Sequence, residues 1–336
     1  MRYAKLLFLV IGVALLVWVV KQANIGEIWR QVQAISVAQI AGVFVIYALY
    51  FGADAISWQV TLDSVAMNLR WAGRLFIVRM IGEAYNNITP MASLGGEPIK
   101  AWLLKTNYNV PLSDSGASLV LAKTASMFSL VVFVAIALAL ILGHDDLSAS
   151  DKTMASVGLA WLVFNVIVFF LMQHLKLSTF TATRLGRTRV GERMTHFIAG
   201  LQSVDEQFAR FYKHHRGRLV LSMTYAMANW LLGVVELYYI LGLIGHPVGW
   251  WDAWIIEAMV QMIRTAAFFI PAGIGAQEGA LMIACNALAG SPNIGVAAAL
   301  VRRFRELVWI GVSLAIAAAM HVSPKVVREP VATQDA

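Results

Sequence analysis

The chain has 336 residues, of which 59% are hydrophobic and only 13% charged, and its mean hydropathy is +0.69. These values exclude an ordinary soluble domain and indicate a polytopic membrane protein. The formal net charge of +7 does not indicate a nucleic acid partner, because the basic residues cluster in loops beside hydrophobic segments, where anionic lipid and topology account for them. The one cysteine, Cys285, lies in an apolar run, so an intrachain disulfide is excluded and a thiolate metal site is not expected.

Six segments are long and apolar enough to be membrane-spanning helices, which need about 20 residues each. In chain order they cover residues 4–20, 37–62, 113–142, 153–172, 219–243 and 294–320. The first follows a basic N-terminus without a small-residue cleavage pattern, so we expect an uncleaved helix. Residues 24–34 place Ile28 and Val32 on one helical face and Arg30 on the other, which predicts a helix at the membrane interface.

Two proline- and glycine-rich stretches interrupt the apolar sequence after the second and fifth of these segments. They read ITPMASLGGEP and FIPAGIGAQEG, and in each a proline precedes a glutamate by seven positions. Proline and glycine break helices, and a break at membrane depth is tolerated where protein or a water-filled cavity satisfies the backbone. We therefore predict two re-entrant helical hairpins, broken at Pro90, Gly95 and Gly96 in the first and at Pro271, Gly273 and Gly275 in the second.

An offset of 181 residues aligns these stretches and the sequence beyond them, bringing Glu97 onto Glu278 and Pro111 onto Pro292. This alignment indicates that one module occurs twice in the chain. Repeat one covers about 37–142 and repeat two about 218–323. An odd number of spans separates equivalent positions, so the repeats have opposite topology. The expected fold is all-α and polytopic: a single transmembrane domain over 1–322, built as an inverted repeat with about six spanning helices and two re-entrant hairpins, followed by a disordered tail at 323–336.

Lysine and arginine placement predicts the orientation of the chain in the membrane. The linker over 173–218 holds nine basic and three acidic residues and is expected in the cytoplasm. Both termini are then cytoplasmic, and the location is the bacterial inner membrane. The basic residues around the first hairpin are also expected on the cytoplasmic side: Arg70, Arg74, Arg79, Lys100 and Lys105.

Ionisable residues inside apolar segments are costly and mark functional sites by default. The last segment carries four of them about 12–18 Å along its axis, at 1.5 Å per residue. The set consists of Arg302, Arg303, Arg305 and Glu306 in that segment, Arg264 and Glu257 before the second break, Lys123 in repeat one, and Glu97, Glu278, Asp54 and Glu236.

Two interpretations of these charges remain open. In the first, a polar cavity between the repeats binds a phosphate or similar anion through the arginines, assisted by the half-helix N-termini near Glu97 and Glu278. In the second, those two glutamates cap the half-helices and the other charges form ion pairs that lock the repeats together. Asn86 and Asn87 either present amides to a ligand or satisfy the broken backbone.

Four motifs, spread over nearly the whole chain, are similar to those of a known membrane family: Asn87-x-x-Pro90, Gly95-Gly96-Glu97-Pro98, the stretch from Pro271 to Gly279, and the cluster from Arg302 to Glu306. With them the chain resembles the flippase-like family related to the transmembrane region of lysylphosphatidylglycerol synthase. The runs from Trp230 to Gly242 and from Val301 to Trp309 look most like its hopanoid-biosynthesis subgroup. The resemblance implies a membrane-embedded transporter of polar lipids whose two hairpins surround the headgroup. Because the chain ends soon after its last span, lipid aminoacylation is not expected of it.

The leading hypothesis is a lipid translocator in which the repeats rock around a midplane site. The alternatives are a lipid-headgroup-modifying enzyme with Glu97 or Glu278 as general base, and a non-catalytic scaffold for lipid-synthesis enzymes. Membrane lipids are the expected partners. The sequence contains no phosphate-binding loop, nucleophile elbow, zinc motif or dinucleotide turn, so neither a cofactor nor a metal is expected.

Overall fold

The computed structural model of the protein describes residues 17, 21, 24–88, 96–143, 153, 156–164, 167, 216–267, 270 and 273–320. Within these residues the regular secondary structure is helical, without strands, so the predicted all-α class is confirmed. Residues 156–164 are helical as well. The other helices are α1 (Ile25–Gln33), α2 (Val37–Thr61), α3 (Leu69–Ile88), α4 (Gly96–Tyr108), α5 (Leu112–Leu142), α6 (Arg216–Leu243), α7 (Trp250–Ala266), α8 (Ala276–Leu288) and α9 (Pro292–Ala319).

Three helices, α2, α5 and α6, are long and apolar enough to cross a membrane by length and composition. Helix α9 has 28 residues but holds the charges at Arg302, Arg303, Arg305 and Glu306. These four helices match predicted segments to within three residues at each end. All of segment 4–20 except residue 17, and nine of the 20 residues of segment 153–172, lie outside the described residues, as do nearly all of the linker 173–218 and the whole tail 323–336.

The predicted internal repeat is visible in the helix boundaries. Helices α2 to α5 begin at residues 37, 69, 96 and 112, and helices α6 to α9 begin at residues 216, 250, 276 and 292. Each start in the second set follows its equivalent by 179 to 181 residues, in agreement with the sequence offset. The molecule therefore contains two copies of one four-helix unit, with α2 equivalent to α6, α3 to α7, α4 to α8, and α5 to α9.

Equivalent helices α2 and α6 pack against each other in antiparallel orientation. Side-chain to backbone hydrogen bonds join them from one end to the other: Arg218 Nε to Val60 O at 2.8 Å, Ser222 Oγ to Ser57 O at 3.0 Å, Asn229 Nδ2 to Tyr50 O at 2.8 Å, and Tyr239 OH to Gln39 O at 3.4 Å. As the residue number rises along α6, it falls along α2. Two equivalent spanning helices that run in opposite directions are related by a two-fold axis in the membrane plane, so the repeats are inverted.

Two further contacts between the copies are also equivalent to each other under the repeat. Helix α3 of the first copy packs on α9 of the second, and α7 of the second packs on α5 of the first. Each copy also has its own hydrophobic core, centred on Leu75 and Leu103 in the first and on Leu281 and Ala297 in the second. The two copies therefore form one intertwined domain rather than two separate ones.

Local sequence signals explain where the helices begin. At α2, Ser36 and Gln39 form a reciprocal capping box in which Gln39 N donates to Ser36 Oγ and Ser36 N donates to Gln39 Oε1. At α3, the Asn68 side chain accepts a hydrogen bond from Trp71 N at 2.9 Å. Helix α9 has Ser291 as its N-cap and Pro292 at its first position, where the missing proline N–H costs nothing.

The two helix breaks fall at the predicted positions. Helix α3 ends at Ile88 and α4 begins at Gly96; Pro90 and Gly95 lie outside the described residues, as does Pro271 between α7 and α8. In the second break Gly273 has φ 59° and Gly275 has φ 78°, a left-handed backbone that glycine adopts readily. Helices α4 and α8 have 13 residues each, about 20 Å at 1.5 Å per residue, which is too short to cross a core of about 30 Å. They are therefore re-entrant half-helices.

Close backbone contacts hold both half-helices in place. A Cβ atom built on Gly96 would overlap the carbonyl oxygen of Gly82, so α4 begins directly against α3. A Cβ atom built on Gly295 would overlap the carbonyl oxygen of Leu281, so α9 crosses α8 at similarly close range. Glycine at these two positions is required by the packing, because any side chain would separate the helices.

Candidate functional site

A cavity of about 80 Å³, here called the smaller cavity, lies where the two repeats meet. Four arginines and four glutamates line it, so its lining carries balanced rather than net positive charge. They come from α3, α6, α7 and α9, and Tyr47, Tyr50 and Phe51 of α2 complete the wall. The charged residues are Arg79, Glu83, Glu236, Glu257, Arg264, Arg302, Arg305 and Glu306.

Most of these charges belong to one continuous ion-pair network inside repeat two. Arg302 Nη2 donates to Glu257 Oε2 at 2.7 Å, and Arg302 Nε lies 3.5 Å from Glu236 Oε2. Arg305 also pairs with Glu236 through its Nη1. Arg302 and Arg305 are buried, with 3% and 5% of their surface exposed, as are their partners. Burying charges of one sign alone would be prohibitively costly, and the alternation of acid and base removes that cost.

The network continues through Glu306 and Arg303 to the second helix break. Glu306 accepts hydrogen bonds from Arg305 Nη2 at 3.3 Å and Arg303 Nη1 at 3.0 Å. Arg303 Nε in turn donates to Glu278 Oε1 at 2.9 Å. The other oxygen of Glu278 accepts from Gly275 N at 2.8 Å, which caps the half-helix α8. Charges on α6, α7 and α9 are thus connected directly to the left-handed turn that forms the break.

At the first break, the equivalent glutamate finds its cation on its own helix. Lys100 Nζ donates to Glu97 Oε1 at 2.8 Å, an interaction one turn apart on α4. Glu97 and Glu278 thus occupy equivalent positions in the first turn of a half-helix, and each is neutralised by a base. Glu278 caps its half-helix as the second interpretation expects, whereas the contact that Glu97 makes among the described residues is its ion pair with Lys100.

The α9 arginines form their ion pairs with carboxylates of repeat two. Contact across the repeats is made instead by aromatic side chains. The guanidinium of Arg305 lies over the ring of Tyr47, 3.5 Å from its centroid, and Trp309 packs against Tyr47 and Phe51 of α2. The expectation that the ion pairs of this cluster lock the repeats to each other is therefore wrong, because these ion pairs lie within repeat two and cation–π and aromatic contacts join the repeats here.

A second cavity, here called the larger cavity, has a volume of about 250 Å³ and lies against repeat one. Its wall includes Glu97 and Lys100 of α4, Lys123 of α5, and the ion pair between Arg79 and Asp54, whose side chains are each 18% exposed. The predicted residues Lys123, Glu97 and Asp54 are therefore brought together in this cavity, whereas the α9 cluster lines the smaller one. Tyr50, Arg79, Glu83 and Arg264 line both.

Three charged side chains in the cavities have no ion-pair partner among the residues that the structure describes: Glu83, Lys123 and Arg264. Every other charged residue that lines either cavity is paired with an opposite charge. Because paired arginines already satisfy much of their hydrogen-bonding capacity, Arg264 and Lys123 are the cations best placed to take an incoming anionic group.

The two asparagines before the first break have divided roles. Asn86 is buried, and its side-chain oxygen accepts a hydrogen bond from Gly96 N at 2.6 Å, bridging the two halves of the hairpin. Asn87 Nδ2 donates to Glu83 O at 2.9 Å, and the residue lines the smaller cavity. Asn86 therefore satisfies backbone, whereas Asn87 is both a backbone partner and part of the cavity wall.

Sequence analysis did not identify Tyr47, Tyr50 or Glu83 as candidate site residues. Tyr47 and Tyr50 lie one turn apart on α2, a spacing that places both side chains on one face. Glu83 occupies the position equivalent to Arg264 under the 181-residue offset, and that correspondence was the available signal. Among the described residues, no group of three or more His, Cys, Asp or Glu side chains is arranged to bind a metal ion.

Comparison with known proteins finds one membrane-protein family and two related membrane proteins. The family described as "Lysylphosphatidylglycerol synthase TM region" matches residues 5–315 of the chain. A "UPF0104 membrane protein" of Methanothermobacter thermautotrophicus is 21% identical over 331 residues, which cover 95% of each chain. A "UPF0104 membrane protein" of Pyrococcus horikoshii is 22% identical over 288 residues, which cover 82% of this chain and 84% of that protein. No solved structure matches the chain significantly.

Proposed function

Because the chain belongs to the lysylphosphatidylglycerol synthase transmembrane-region family, an integral membrane family with a lipid-related name, we propose that it binds polar lipids and moves them between the two leaflets of the membrane. The observation that carries this proposal is the antiparallel packing of equivalent helices α2 and α6 beside cavities lined by charges. Inverted repeats around a midplane polar site are the architecture of alternating-access transporters.

The contacts in the cavities support a charged lipid headgroup as the ligand. Arg264 and Lys123, which form no direct ion pair with a described residue, supply donors for a phosphate or similar anion. The α9 network of Arg302, Arg305 and Glu306 fixes the wall around it. Since that wall is charge-balanced, a positively charged part of a headgroup also finds acidic neighbours there. The acyl chains would remain in the surrounding lipid.

Reconstitution into liposomes tests the proposal. The purified protein is inserted into vesicles that contain a fluorescent anionic phospholipid, and a membrane-impermeant quencher measures the fraction of the label that reaches the outer leaflet. We expect exchange to be faster than in protein-free vesicles, and Arg264→Gln to slow it by about tenfold or more, the effect of losing a charged hydrogen-bond donor to the ligand. Arg70→Gln, an exposed arginine outside both cavities, is the matched control and keeps the parent rate.

The same vesicles separate transport from the two alternatives. A new lipid species detected by mass spectrometry, dependent on Glu97 or Glu278, would favour a headgroup-modifying enzyme. If neither lipid exchange nor a new lipid is detected, the result would favour a scaffold that positions lipid-synthesis enzymes. The observed pairing of Glu97 with Lys100, and of Glu278 with Arg303, supports structural roles for both carboxylates over roles as a general base.

We place the protein in the bacterial cytoplasmic membrane with both termini in the cytoplasm, on the distribution of basic residues in its loops. The finer link to hopanoid lipids rests on the runs from Trp230 and Val301. Lipid analysis of a deletion strain tests it: we expect polar hopanoids to accumulate in one leaflet, and unchanged leaflet distribution of hopanoids would remove that link while leaving phospholipid exchange to be judged separately.

A further inference from the structure

The two cavities are displaced from each other along helices α2 and α6. Helix α2 contributes Tyr47 to the smaller cavity and Trp58 to the larger one, while Tyr50 lines both. Residues 47 and 58 are separated by about 16 Å along a helix that rises 1.5 Å per residue. The smaller cavity thus lies toward the start of α2 and the larger toward its end.

Helix α6 gives the same result independently. It contributes Gly233 and Glu236 to the smaller cavity and Asn229 and Trp230 to the larger. Because α6 runs antiparallel to α2, its later residues lie beside the start of α2, which is the level of the smaller cavity. Two helices of opposite direction therefore agree that the cavities are displaced from each other along the α2–α6 pair, while Arg79 and Glu83 of α3 line both.

Glu83 and Arg264 occupy the boundary between the two cavities. Both line both cavities, and they are equivalent positions of the two repeats because 181 residues separate them. Equivalent residues that line the same space lie near the two-fold axis that relates the repeats. One of these two equivalent residues is an acid and the other a base.

On these observations we propose that Glu83 and Arg264 form a gate between the two cavities: the pair closes the route when its side chains meet, and the anionic group of a ligand replaces Glu83 on Arg264 as it passes. This inference rests on the proposed lipid transport and assigns the step between its two half-sites. In the present structure neither side chain forms a direct ion pair with a described residue, so the two side chains do not meet in this state.

The difference in cavity volume supports a gate at this boundary. The larger cavity is about 250 Å³ and the smaller about 80 Å³, although the repeats that form them are equivalent. In an inverted repeat, exchange of conformation between the copies reverses such an asymmetry, so the alternate state enlarges the smaller cavity. Residues near the axis belong to both states, and a pair of opposite charges there can open or close the connection in each.

Disulfide cross-linking tests whether the two positions meet. In a Cys285→Ala background, which removes the one native cysteine, Glu83→Cys and Arg264→Cys are introduced together. A bifunctional methanethiosulfonate reagent then joins the two thiols through two disulfides, because long side chains can meet while their Cα atoms are farther apart than the roughly 7 Å that a direct disulfide spans. We expect maleimide labelling to be lost on cross-linking, lipid exchange to fall to the protein-free rate, and a reductant to restore both. Asp63→Cys with Arg218→Cys is the matched control, because that ion pair joins the ends of α2 and α6 outside both cavities; its cross-link leaves exchange unchanged.

A charge exchange provides a second readout. Glu83→Arg and Arg264→Glu alone each place like charges at the boundary and should slow exchange by about tenfold, whereas the double variant should recover most of the parent rate. The absence of a cross-link in a folded protein whose control pair is joined, or a cross-link that leaves exchange unchanged, would overturn the gate. If the parent protein moves no lipid, the proposed function fails, and the cross-linking yield still decides whether the two positions meet.

Discussion

Glu236 lies between two buried arginines, Arg302 and Arg305, and contacts both of them. Glu236 joins the two most deeply buried arginines of the repeat-two network, whereas Glu257 contacts Arg302 alone and Glu306, which is more exposed, joins Arg305 to Arg303. Removing such a partner leaves positive charge buried without compensation. The energetic consequence is much larger than for an exposed pair, because water cannot replace the lost contact.

We therefore predict that Glu236→Gln destabilises the protein by about 3 kcal/mol or more, the cost of breaking a buried ion pair from one side. The measurement is the thermal unfolding of the detergent-solubilised protein, followed by tryptophan fluorescence. Asp63→Asn is the control, because Asp63 is 46% exposed in its pair with Arg218 and its loss should cost about 1 kcal/mol or less. Equal losses for the two variants would contradict the central position given to Glu236.

At this scale, the sequence was sufficient to locate charges but not their partners. The depth of Arg302 to Glu306 in an apolar segment predicted that they line a polar interior, and three of the four line the smaller cavity. Their partners Glu236 and Glu257 lie about 45 to 69 residues away in the chain, and their contacts with α9 depend on how α6 and α7 pack. Periodicity within one helix carries no information on such pairings.

The half-helices α4 and α8 owe their positions to glycine at two kinds of site: close helix contacts and left-handed turns. Gly96 illustrates the first kind, because its neighbour is the backbone carbonyl of Gly82 rather than a side chain that can move. Gly275 illustrates the second, with φ 78° immediately before α8. Each predicts a different response to alanine.

Gly96→Ala should separate α4 from α3 and destabilise the protein by about 1–3 kcal/mol, the usual cost of overpacking. The yield of monodisperse protein and its melting temperature in detergent measure the effect. Gly73→Ala is the matched control on α3, since a Cβ atom there meets nothing within 4 Å and alanine favours helix by about 0.5–1 kcal/mol. A Gly96→Ala protein as stable as the Gly73→Ala protein would show that the close approach is absent.

Gly275→Ala should cost about 1–2 kcal/mol, because alanine resists positive φ whatever space surrounds it. It should also weaken lipid exchange, since this turn donates to Glu278 and so anchors the ion-pair network. Gly311→Ala in the middle of α9 is the control: its site is open, and we expect unchanged or slightly raised stability. Comparable melting temperatures for both variants would argue against the left-handed turn.

Helix boundaries were the part of the fold most readily predicted from sequence, because caps, prolines and apolar length act locally. Ser36 and Ser291, with the sequences that follow them, mark the starts of α2 and α9. Contacts between helices were harder to predict from the sequence. The overlap of Gly96 with Gly82 depends on how the hairpin folds back, and no periodic pattern distinguishes Gly82 from the open glycine at position 73.

The whole molecule is organised by the antiparallel relation between its two repeats. The 181-residue offset in the sequence predicted the duplication, and counting spans predicted the inversion. Hydrogen bonds between α2 and α6 establish the opposite directions of equivalent helices without reference to any count of spans. What the sequence could not supply is the asymmetry of the two cavities, because that depends on which conformation the repeats adopt.

Cysteine labelling at equivalent positions tests the opposite insertion of the repeats most directly. Arg70 and Trp251 are exposed, lie 181 residues apart, and are the second residues of helices α3 and α7. In the Cys285→Ala background, a membrane-impermeant maleimide is applied to intact spheroplasts carrying Arg70→Cys or Trp251→Cys. We predict that Trp251→Cys is labelled from outside and Arg70→Cys only after the membrane is permeabilised. Labelling of both positions from the same side would contradict an inverted repeat and, with it, the proposed route for lipid.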